Sequence, residues 1–349
     1  MVWVVAWLLA APMLPGRASA FSVAGGFTAR RAPLRSAPSL YDEAEKGLAS
    51  RGVFEETLLP TPSMLKSDPT ANVAAALAND GVSRLDAVLS PATAAALRAF
   101  VLETKKAGEA AVTSGLPRTD YFADVLLRKN RCDVLLPLDA PVANALREAL
   151  SPENGLAAAL EATLGSGAVL YELAALISEP GAPRQVAHPD TPWHPASPLL
   201  TTFLALQNVL DTTGPTCFLP KTHSSQAHSE FFGAETVKDD FLRNASPTVA
   251  LLKAGDAAVF DSRLVHFGTA NRGEIGSERV LFYFTFRNPK IDDPGNPPSL
   301  RRNLANKFTL AGMRKALSGG RGAPAAFTAA PASNARNTMR GATKKKGFG

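Results

Sequence analysis

Apolar residues follow two different periods along the chain, and the change lies near Gly165. Before it, apolar residues recur every three to four positions, which predicts helices. Ser90-Pro91 is typical of a helix start, because Ser is a favoured N-cap and Pro suits the first helical position. A second Ser-Pro pair begins at Ser151, and residues 139–150 are a third helix candidate. The first part of the domain is therefore predicted to be helical.

After Gly165 the chain consists of short apolar runs, each bounded by Gly, Pro, Asn or Asp, which is typical of β-strands. The runs are AVLYELAALISEP, LLTTFLALQNVL, CFLP, TVALLKAGDAAVFD, LVHFG and RVLFYFTF. Strands separated by turn signals, with no helix between them, favour an all-β barrel or jelly roll. The pattern thus predicts a mainly β fold in which helices precede the barrel in sequence.

The last of these runs, residues 279–287, shows how a strand of this barrel would present chemistry. Side chains alternate between the two faces of a strand. One face carries Arg279, Leu281, Tyr283, Thr285 and Arg287, and the other carries Val280, Phe282, Phe284 and Phe286. The polar groups of this strand are therefore predicted to lie on one face of the sheet.

The first forty residues are typical of a targeting segment. Residues 2–14 are an apolar run too short to span a membrane comfortably, and Ala18-Ser19-Ala20 supplies the small residues that a signal peptidase needs. Residues 21–41 are rich in Arg, Ser, Ala and Pro and contain no acid, like a transit peptide. The junction before Phe21 resembles the cleavage motif of bipartite plastid presequences in algae with secondary plastids. The prediction is a plastid protein with no stable membrane anchor, and the alternative is a secreted protein.

The remaining composition predicts the domain boundaries. Residues 42–70 contain several prolines and are predicted to be a linker. Residues 71–293 are predicted to form the domain, with a helical part at 71–165 and a β-core at 166–293. Residues 294–349 are basic and of low complexity, and are predicted to be disordered because they contain few large apolar residues.

Charge is distributed unevenly, and this excludes one class of partner. All 31 acidic residues lie between Asp42 and Asp293, where they outnumber the 22 Lys and Arg residues. The basic isoelectric point of about 9.4 therefore describes the two ends of the chain and not its body. An acidic body argues against nucleic-acid binding. Cys132 and Cys217 lie far apart in sequence and form no CxxC pair, so both are predicted to be reduced thiols.

A candidate metal site lies in the stretch QVAHPDTPWHPASP. At the end of a strand, His188 and Asp190 would point to the same face, because they are two residues apart. A second imidazole from a neighbouring strand would complete a two-histidine, one-carboxylate set, which suits non-haem Fe(II) that activates O₂. The histidines that could supply it are His194, His223, His228 and His266.

Five motifs occur in the order that one known family shows. They are NDGVSRLDAVLSPATAAALRAF, AHPDTPW, GPTCFLPKTH, KAGDAAVFDSRLVHFGTANRG and SERVLFYF. On these motifs, residues 72–290 resemble the phytanoyl-CoA dioxygenase-like family of Fe(II)/2-oxoglutarate oxygenases. The resemblance implies a double-stranded β-helix (a cupin-like jelly roll) with flanking N-terminal α-helices. It also implies that His188, Asp190 and His266 bind Fe(II), and that Arg279 pairs with the distal carboxylate of 2-oxoglutarate.

The resemblance further implies a reaction. Such an enzyme uses Fe(II), 2-oxoglutarate and O₂ to hydroxylate a small organic substrate, and it releases succinate and CO₂. Asp190 argues against a halogenase, because related halogenases have a small residue at this position. Two alternatives remain: a non-catalytic cupin-like scaffold, and a zinc-dependent hydrolase that uses the same ligands.

The sequence departs from the family at one position and leaves several polar residues to be placed. Gly268 stands where the family often has a Ser that helps to hold 2-oxoglutarate, and Thr269 is a possible substitute. Arg272 also competes for the anion, but it lies in a turn-like segment.

The remaining histidines are predicted to lie outside the metal site. His194 lies on a Pro-rich loop, with or without a role at the entrance to the substrate pocket. His223 is predicted to be a structural hydrogen-bonding residue. His228 is predicted to be at the surface.

Overall fold

The computed structural model of the protein describes residues 52–67 and 72–318. The predicted signal and transit segments, residues 1–41, lie outside the described residues, and the plastid address stays a prediction. The tail from residue 319 onward also lies outside them. In the part that is described, no helix is both long enough and apolar enough to cross a bilayer.

Helices flank the strands on both sides in sequence. In chain order they are α1 Val73–Asp80, α2 Pro91–Thr113, α3 Ala140–Ala149, α4 Leu156–Leu164, α5 Ser225–Phe231, α6 Glu235–Arg243 and α7 Leu310–Ser318. A helical segment at residues 52–58 precedes them. Short 3-10 turns occur at Arg118–Asp120, Pro152–Asn154 and Arg302–Leu304.

The strands form two sheets. The strands are β1 Ser63–Met64, β2 Val82–Leu85, β3 Phe122–Ala123, β4 Arg131–Leu135, β5 Val169–Ser178, β6 Leu199–Ala205, β7 Thr216–Phe218, β8 Thr248–Val249, β9 Ala257–Asp261, β10 His266–Gly268 and β11 Arg279–Arg287. The larger sheet has the order β2-β9-β6-β11-β5-β4-β3, and the smaller has the order β1-β8-β7-β10. Phe218 of the smaller sheet packs against Phe260 of the larger, with ring centroids 5.1 Å apart. The predicted jelly roll with flanking helices is confirmed.

The two faces of β11 have the environments that the alternation predicts. Phe282, Phe284 and Phe286 are fully buried in the cluster that the sheet forms with the helices. Leu281 and Tyr283 point the other way, into two smaller clusters inside the barrel. The helices therefore cover the outer face of the sheet, and the inner face is left to line the barrel.

Local helix signals are confirmed in two of three cases. Ser90 caps α2 by accepting a hydrogen bond from the backbone of Thr93 at 3.2 Å, and its own N–H donates to Glu148 of α3 at 2.7 Å. The helix predicted over residues 139–150 is α3, and Asp139 is its N-cap residue. The Ser151 signal produces only the 3-10 turn, and α4 begins after the left-handed Gly155.

The structure corrects the division into a helical part (71–165) and a β-core (166–293). The short strands β2 and β4 lie in the first part, where they pair with β9 and β5 at the edges of the larger sheet. Conversely, α5 and α6 lie between β7 and β8, so helices do interrupt the strand series. Strand pairing between distant segments determines these assignments, and local periodicity does not reveal it.

The structure also corrects the predicted linker (42–70) and tail (294–349). Within 52–67, Leu65 is buried and β1 pairs in parallel with β8. In the tail, α7 buries Leu310, Met313 and Leu317. Few apolar residues are present in the tail, but these three lie on one helical face, so composition underestimated what the segment can bury.

Removing a side chain from α7 tests whether this helix belongs to the domain. Met313 is fully buried in the main core, so Met313→Ala is expected to lower the free energy of unfolding by about 2–5 kcal/mol through the cavity it leaves. Lys315, on the exposed side of the same helix, is the control. Lys315→Ala is expected to change the free energy of unfolding by less than about 0.5 kcal/mol. Urea titration measures both. Equal, small effects would place α7 outside the folded domain.

Candidate metal and anion site

The structure brings His188, Asp190 and His266 together. His188 and His266 exchange two backbone hydrogen bonds, of 3.0 and 2.9 Å, which join the loop that carries His188 to β10. The backbone N–H of Asp190 donates to Ser262 at 2.8 Å. The Nε2 atoms of His188 and His266 lie 3.8 and 3.7 Å from Oδ1 of Asp190. One potential ligand atom of each residue lies within 4.8 Å of the others.

Backbone carbonyls fix the tautomer of both imidazoles. Nδ1 of His188 lies 2.8 Å from the carbonyl oxygen of Val186, and Nδ1 of His266 lies 2.9 Å from that of Leu264. A carbonyl can only accept, so each Nδ1 carries the proton and each Nε2 presents a lone pair. Burial, and after it the His266 ring, lowers the pKa of His188 to about 4, which keeps that ring neutral at pH 7.

These three residues fit a divalent metal. Two neutral imidazole nitrogens and one carboxylate oxygen are a donor set that Fe(II) accepts on one face. The side chains of His188 and Asp190 retain 16% and 26% exposure, so the other face is open to a ligand. The His266 ring is walled by Phe260 and Phe218, with centroids 4.9 and 5.9 Å away.

A carboxylate from the N-terminal segment positions the residue before His188. Glu55 is buried and accepts a hydrogen bond from the backbone of Ala187 at 2.7 Å. The same carboxylate pairs with Lys238 of α6 at 2.6 Å and lies 3.6 Å from Arg184. Arg184 in turn stacks on the ring of Phe267, 3.8 Å from its centroid. Because Glu55 lies in the predicted linker, sequence reasoning missed it.

Arg279 lies inside the barrel, and no acid among the described residues pairs with it. Its side chain is 1% exposed, and its guanidinium donates to the carbonyl of Gly214. Its Nε has no hydrogen-bond partner. Burial, and secondarily the charge of Arg131, lowers the pKa of Arg279 to about 9. Such a shift is expected for a buried cation that lacks a counter-ion.

Arg131 is a second buried cation in the same row of the sheet. Arg131 of β4 pairs with Ser178 of β5, and Ser178 pairs with Arg279 of β11, so the three side chains share the inner face. The guanidinium of Arg131 contacts only backbone carbonyls, including that of Pro183 at 2.8 Å, and burial lowers its pKa to about 10. Within the part of the chain that the structure describes, Nε of both arginines and the Ser178 hydroxyl are buried without a hydrogen-bond partner. Three unsatisfied polar groups in one row indicate an anion site.

Sequence reasoning missed Arg131, although a signal was present. In RCDVLL the polar residues Arg131 and Asp133 alternate with Cys132, as in a strand with one polar face. The run is short, and it lies outside the five motifs that carry the family resemblance. Cys132 and Cys217 are both free thiols, as predicted, and burial raises the pKa of each to about 12.

Gln185 explains the glycine at position 268. Its side-chain oxygen accepts the Gly268 N–H at 2.9 Å, and a Cβ at position 268 would lie 2.7 Å from that oxygen. Gln185 therefore occupies the space that a Ser side chain would need. The hydroxyl of Thr269 donates to Pro215 at 2.8 Å, so it is already engaged. Arg272 is exposed and lies outside the row of Arg131 and Arg279.

The remaining histidines lie outside the triad. His194 bonds to the backbone of its own loop at Ala196. His223 lies 3.2 Å from the carbonyl of Ala78, a structural contact of the kind predicted. The predicted surface position of His228 is wrong, since it is 5% exposed and its Nε2 donates to the Arg263 carbonyl at 2.6 Å. Its helix packs on the loop that leads to His266, which the sequence did not indicate.

Comparison with known proteins identifies the family to which these motifs belong. The sequence profile described as phytanoyl-CoA dioxygenase (PhyH) matches residues 77–279. No functionally curated protein matches the chain.

Several solved structures are similar over most of their own length. The non-haem α-ketoglutarate-dependent epimerase SnoN from nogalamycin biosynthesis is 21% identical over 63% of this chain and 84% of its own, with a TM-score of 0.43. AviO1 from Streptomyces viridochromogenes is 20% identical over 67% and 98%, with a TM-score of 0.46. HygX from Streptomyces hygroscopicus, solved with nickel and 2-oxoglutarate, is 12% identical over 66% and 96%, with a TM-score of 0.44.

Alanine substitution distinguishes the third metal ligand from the other histidines. His266→Ala removes an Nε2 that faces Asp190, so we expect the Fe(II) affinity, measured anaerobically by equilibrium dialysis, to fall more than about 100-fold. His223→Ala is the control and should leave metal affinity unchanged, because His223 bonds only to the backbone of α1. Equal losses in the two variants would refute the assignment of His266.

Neutralising Glu55 tests the support of the metal loop. Glu55→Gln keeps the shape of the side chain but leaves Lys238 and Arg184 without their carboxylate, so we expect the free energy of unfolding to fall by about 3 kcal/mol. Fe(II) affinity should fall as well, because Ala187 precedes His188. Glu56→Gln, at an exposed neighbouring position, is the matched control. Unchanged stability and metal affinity in Glu55→Gln would show that the loop holds its position without this contact.

Proposed function

The chain belongs to the phytanoyl-CoA dioxygenase (PhyH) family, so it is an enzyme of the Fe(II)/2-oxoglutarate-dependent oxygenase superfamily, and we propose that it hydroxylates a small organic substrate. Its cofactors are Fe(II), 2-oxoglutarate as co-substrate, and O₂. The observation that carries the proposal is the combination, in one barrel, of a His-Asp-His triad and two buried arginines that have no carboxylate partner among the described residues.

The triad would hold the metal on one face. His188 and His266 would contribute Nε2 atoms whose orientation is fixed from the Nδ1 side, and Asp190 would contribute its carboxylate. When bound, Fe(II) supplies the oxygen chemistry that converts 2-oxoglutarate to succinate and CO₂ and places the second oxygen atom on the substrate. Asp190 occupies a position that a halide would need, which favours hydroxylation over halogenation.

Arg279, Arg131 and Ser178 would receive the distal carboxylate of 2-oxoglutarate. A buried cation without a partner is costly, and two of them in one row repel each other. A carboxylate placed between them would accept charge-assisted hydrogen bonds from the two free Nε–H groups. A planar guanidinium suits such a two-pronged contact better than an ammonium group. This row of side chains therefore offers the positive charge and the free hydrogen-bond donors that a bound anion needs.

The two alternatives explain less of this arrangement. In a scaffold with no ligand, Arg279 would be expected to have a permanent protein carboxylate, and the described residues supply none. A zinc hydrolase could use the triad, but it has no need for Arg279 and Arg131 in the interior. Neither alternative explains why Arg131, Ser178 and Arg279 have buried polar atoms without hydrogen-bond partners among the described residues.

Replacing Arg279 tests the co-substrate site directly. Loss of a desolvated charge-assisted pair should weaken 2-oxoglutarate binding by roughly 2–5 kcal/mol, so Arg279→Leu is expected to abolish measurable binding while the fold and bound Fe(II) persist. Calorimetry on the Fe(II)-loaded protein without O₂ gives the affinity. Arg272→Leu, which removes an exposed arginine from the preceding turn, should bind as the unmodified protein does.

Two results would contradict the proposal. If the unmodified protein shows no heat of binding with millimolar 2-oxoglutarate, the chain is not an oxygenase of this kind. If 2-oxoglutarate binds but is never turned over to succinate in step with a hydroxylated product, across a panel of small metabolites, another oxidation takes the place of hydroxylation.

A further inference from the structure

A second row of paired residues, three of them polar, crosses the inner face of the barrel. Glu172 of β5 pairs with Thr285 of β11, Thr285 pairs with Thr201 of β6, and Thr201 pairs with Phe260 of β9. Directly paired residues share a face of the sheet, so the row faces inward. Thr285 and Arg279 are six positions apart on β11, which is about 20 Å along the strand. This row is therefore distinct from the row formed by Arg131, Ser178 and Arg279.

The second row reaches the metal triad. Phe260, at one end of the row, packs its ring against the ring of His266 with centroids 4.9 Å apart. At the other end, Glu172 lies close enough to Asp190 for the charge of that ligand to contribute to the raised pKa of Glu172. A molecule bound along this row would lie beside the metal site.

Two buried carboxylates on this face form no ion pair among the described residues, although the charge of Arg118 partly opposes the rise in the pKa of Asp133. Glu172 is 6% exposed and accepts a hydrogen bond from the Thr285 hydroxyl at 2.5 Å. Asp133 is 4% exposed, and its Oδ2 accepts hydrogen bonds from Tyr283 at 2.6 Å and from Ser299 at 3.3 Å. Its other oxygen, Oδ1, is buried with no partner at all.

Hydroxyl partners satisfy part of the hydrogen bonding of these acids but provide no counter-ion for their ionised forms. Burial raises the pKa of Glu172 to about 8 and that of Asp133 to about 6, as expected for acids in a low-dielectric interior without a counter-ion. Within the described residues, neither acid forms an ion pair, although the interior contains two arginines. Glu172 lies about 20 Å along the sheet from the arginines. Asp133 is two positions from Arg131 on the same face of β4, and it bonds to Tyr283 and Ser299 instead. Both acids are therefore left for a cationic ligand to neutralise.

We propose that the substrate is an organic cation whose protonated amine or guanidinium group binds Glu172 and Asp133 while a C–H bond is presented to the metal. This inference rests on the proposed oxygenase function. The reaction would be balanced: substrate C–H, 2-oxoglutarate and O₂ give substrate C–OH, succinate and CO₂. A cationic nitrogen would supply the donors that Asp133 Oδ1 lacks and would stabilise both ionised acids. An anionic group at the same place would meet the like charge of Asp133 and would oppose ionisation of Glu172.

Three probes of equal length test the substrate class. The full chain, loaded with Fe(II) and 2-oxoglutarate without O₂, is titrated by calorimetry with butylammonium, 1-butanol and butanoate. Butylammonium is expected to bind roughly 10- to 100-fold more tightly than 1-butanol, as a charge-assisted hydrogen bond would give, and butanoate to bind most weakly. The order of the three affinities reports the charge that the site prefers.

Isosteric variants locate this preference. Glu172→Gln is expected to reduce the preference for butylammonium over 1-butanol by roughly 10-fold or more, and Asp133→Asn to change it in the same direction. Glu179→Gln is the matched control, because Glu179 lies just beyond the end of β5, is partly exposed and pairs with Lys105 outside the barrel. It should keep the full preference. Binding of 2-oxoglutarate to each variant shows that the fold is intact.

The outcomes separate this inference from the proposed function. If 2-oxoglutarate binds but the three probes bind equally, the cationic substrate is wrong and the oxygenase stands. The cationic substrate is also wrong if Glu172→Gln keeps the preference, since an amine that merely coordinates the metal would not need Glu172. If 2-oxoglutarate itself does not bind the unmodified protein, both conclusions are overturned.

Discussion

The pair of backbone hydrogen bonds between His188 and His266 is the contact on which the site depends. The loop that carries His188 is joined to β10 by this bridge and, three residues earlier, by the backbone N–H of Gln185, which donates to the Gly268 carbonyl at 2.8 Å. The bridge places both imidazoles side by side, with centroids 4.8 Å apart, and Asp190 follows two residues later. Glu55 supports the same loop from the N-terminal segment through Ala187. Backbone contacts thus position the metal ligands, and the two histidines hold each other in place.

Four buried ionisable side chains, two arginines and two acids, lie on the inner face of the barrel. Among the described residues, Arg131 and Arg279 form no ion pair with an acid, and Asp133 and Glu172 form none with a base. Glu172 lies about 20 Å along the sheet from the arginines, whereas Asp133 follows Arg131 by two positions on the same face of β4. A low-dielectric interior makes each unpaired charge costly, and proteins retain such groups mainly where a ligand completes them. Direct pairing of the arginines with the acids would have been the more stable arrangement for an empty barrel. That the arginines and the acids remain unpaired on this inner face is the feature that indicates ligand binding.

Sequence reasoning succeeded where a feature is local. The alternation in residues 279–287 correctly divides β11 into a helix-packed face and an interior face, because pleating is a property of each strand. It failed where a short segment acquires its role from a distant partner. Glu55 was assigned to a linker, Arg131 occupies a short strand near the edge of the sheet, and His228 was predicted to be at the surface. In each case the contact that gives the residue its role is with a segment elsewhere in the chain.

The sequence alone therefore determined the fold class, the strand that carries Arg279, and the set of residue types able to bind a metal and an anion. Helix caps, strand alternation and motif order are short-range properties that the chain encodes locally. Only the tertiary structure decided which groups are left unpaired inside the barrel. The contacts of Glu55 with Ala187 and of Glu172 with Thr285 join residues 132 and 113 positions apart. Burial and the lack of a counter-ion arise only when the sheet has closed, because a charge is costly only once its surroundings exclude water.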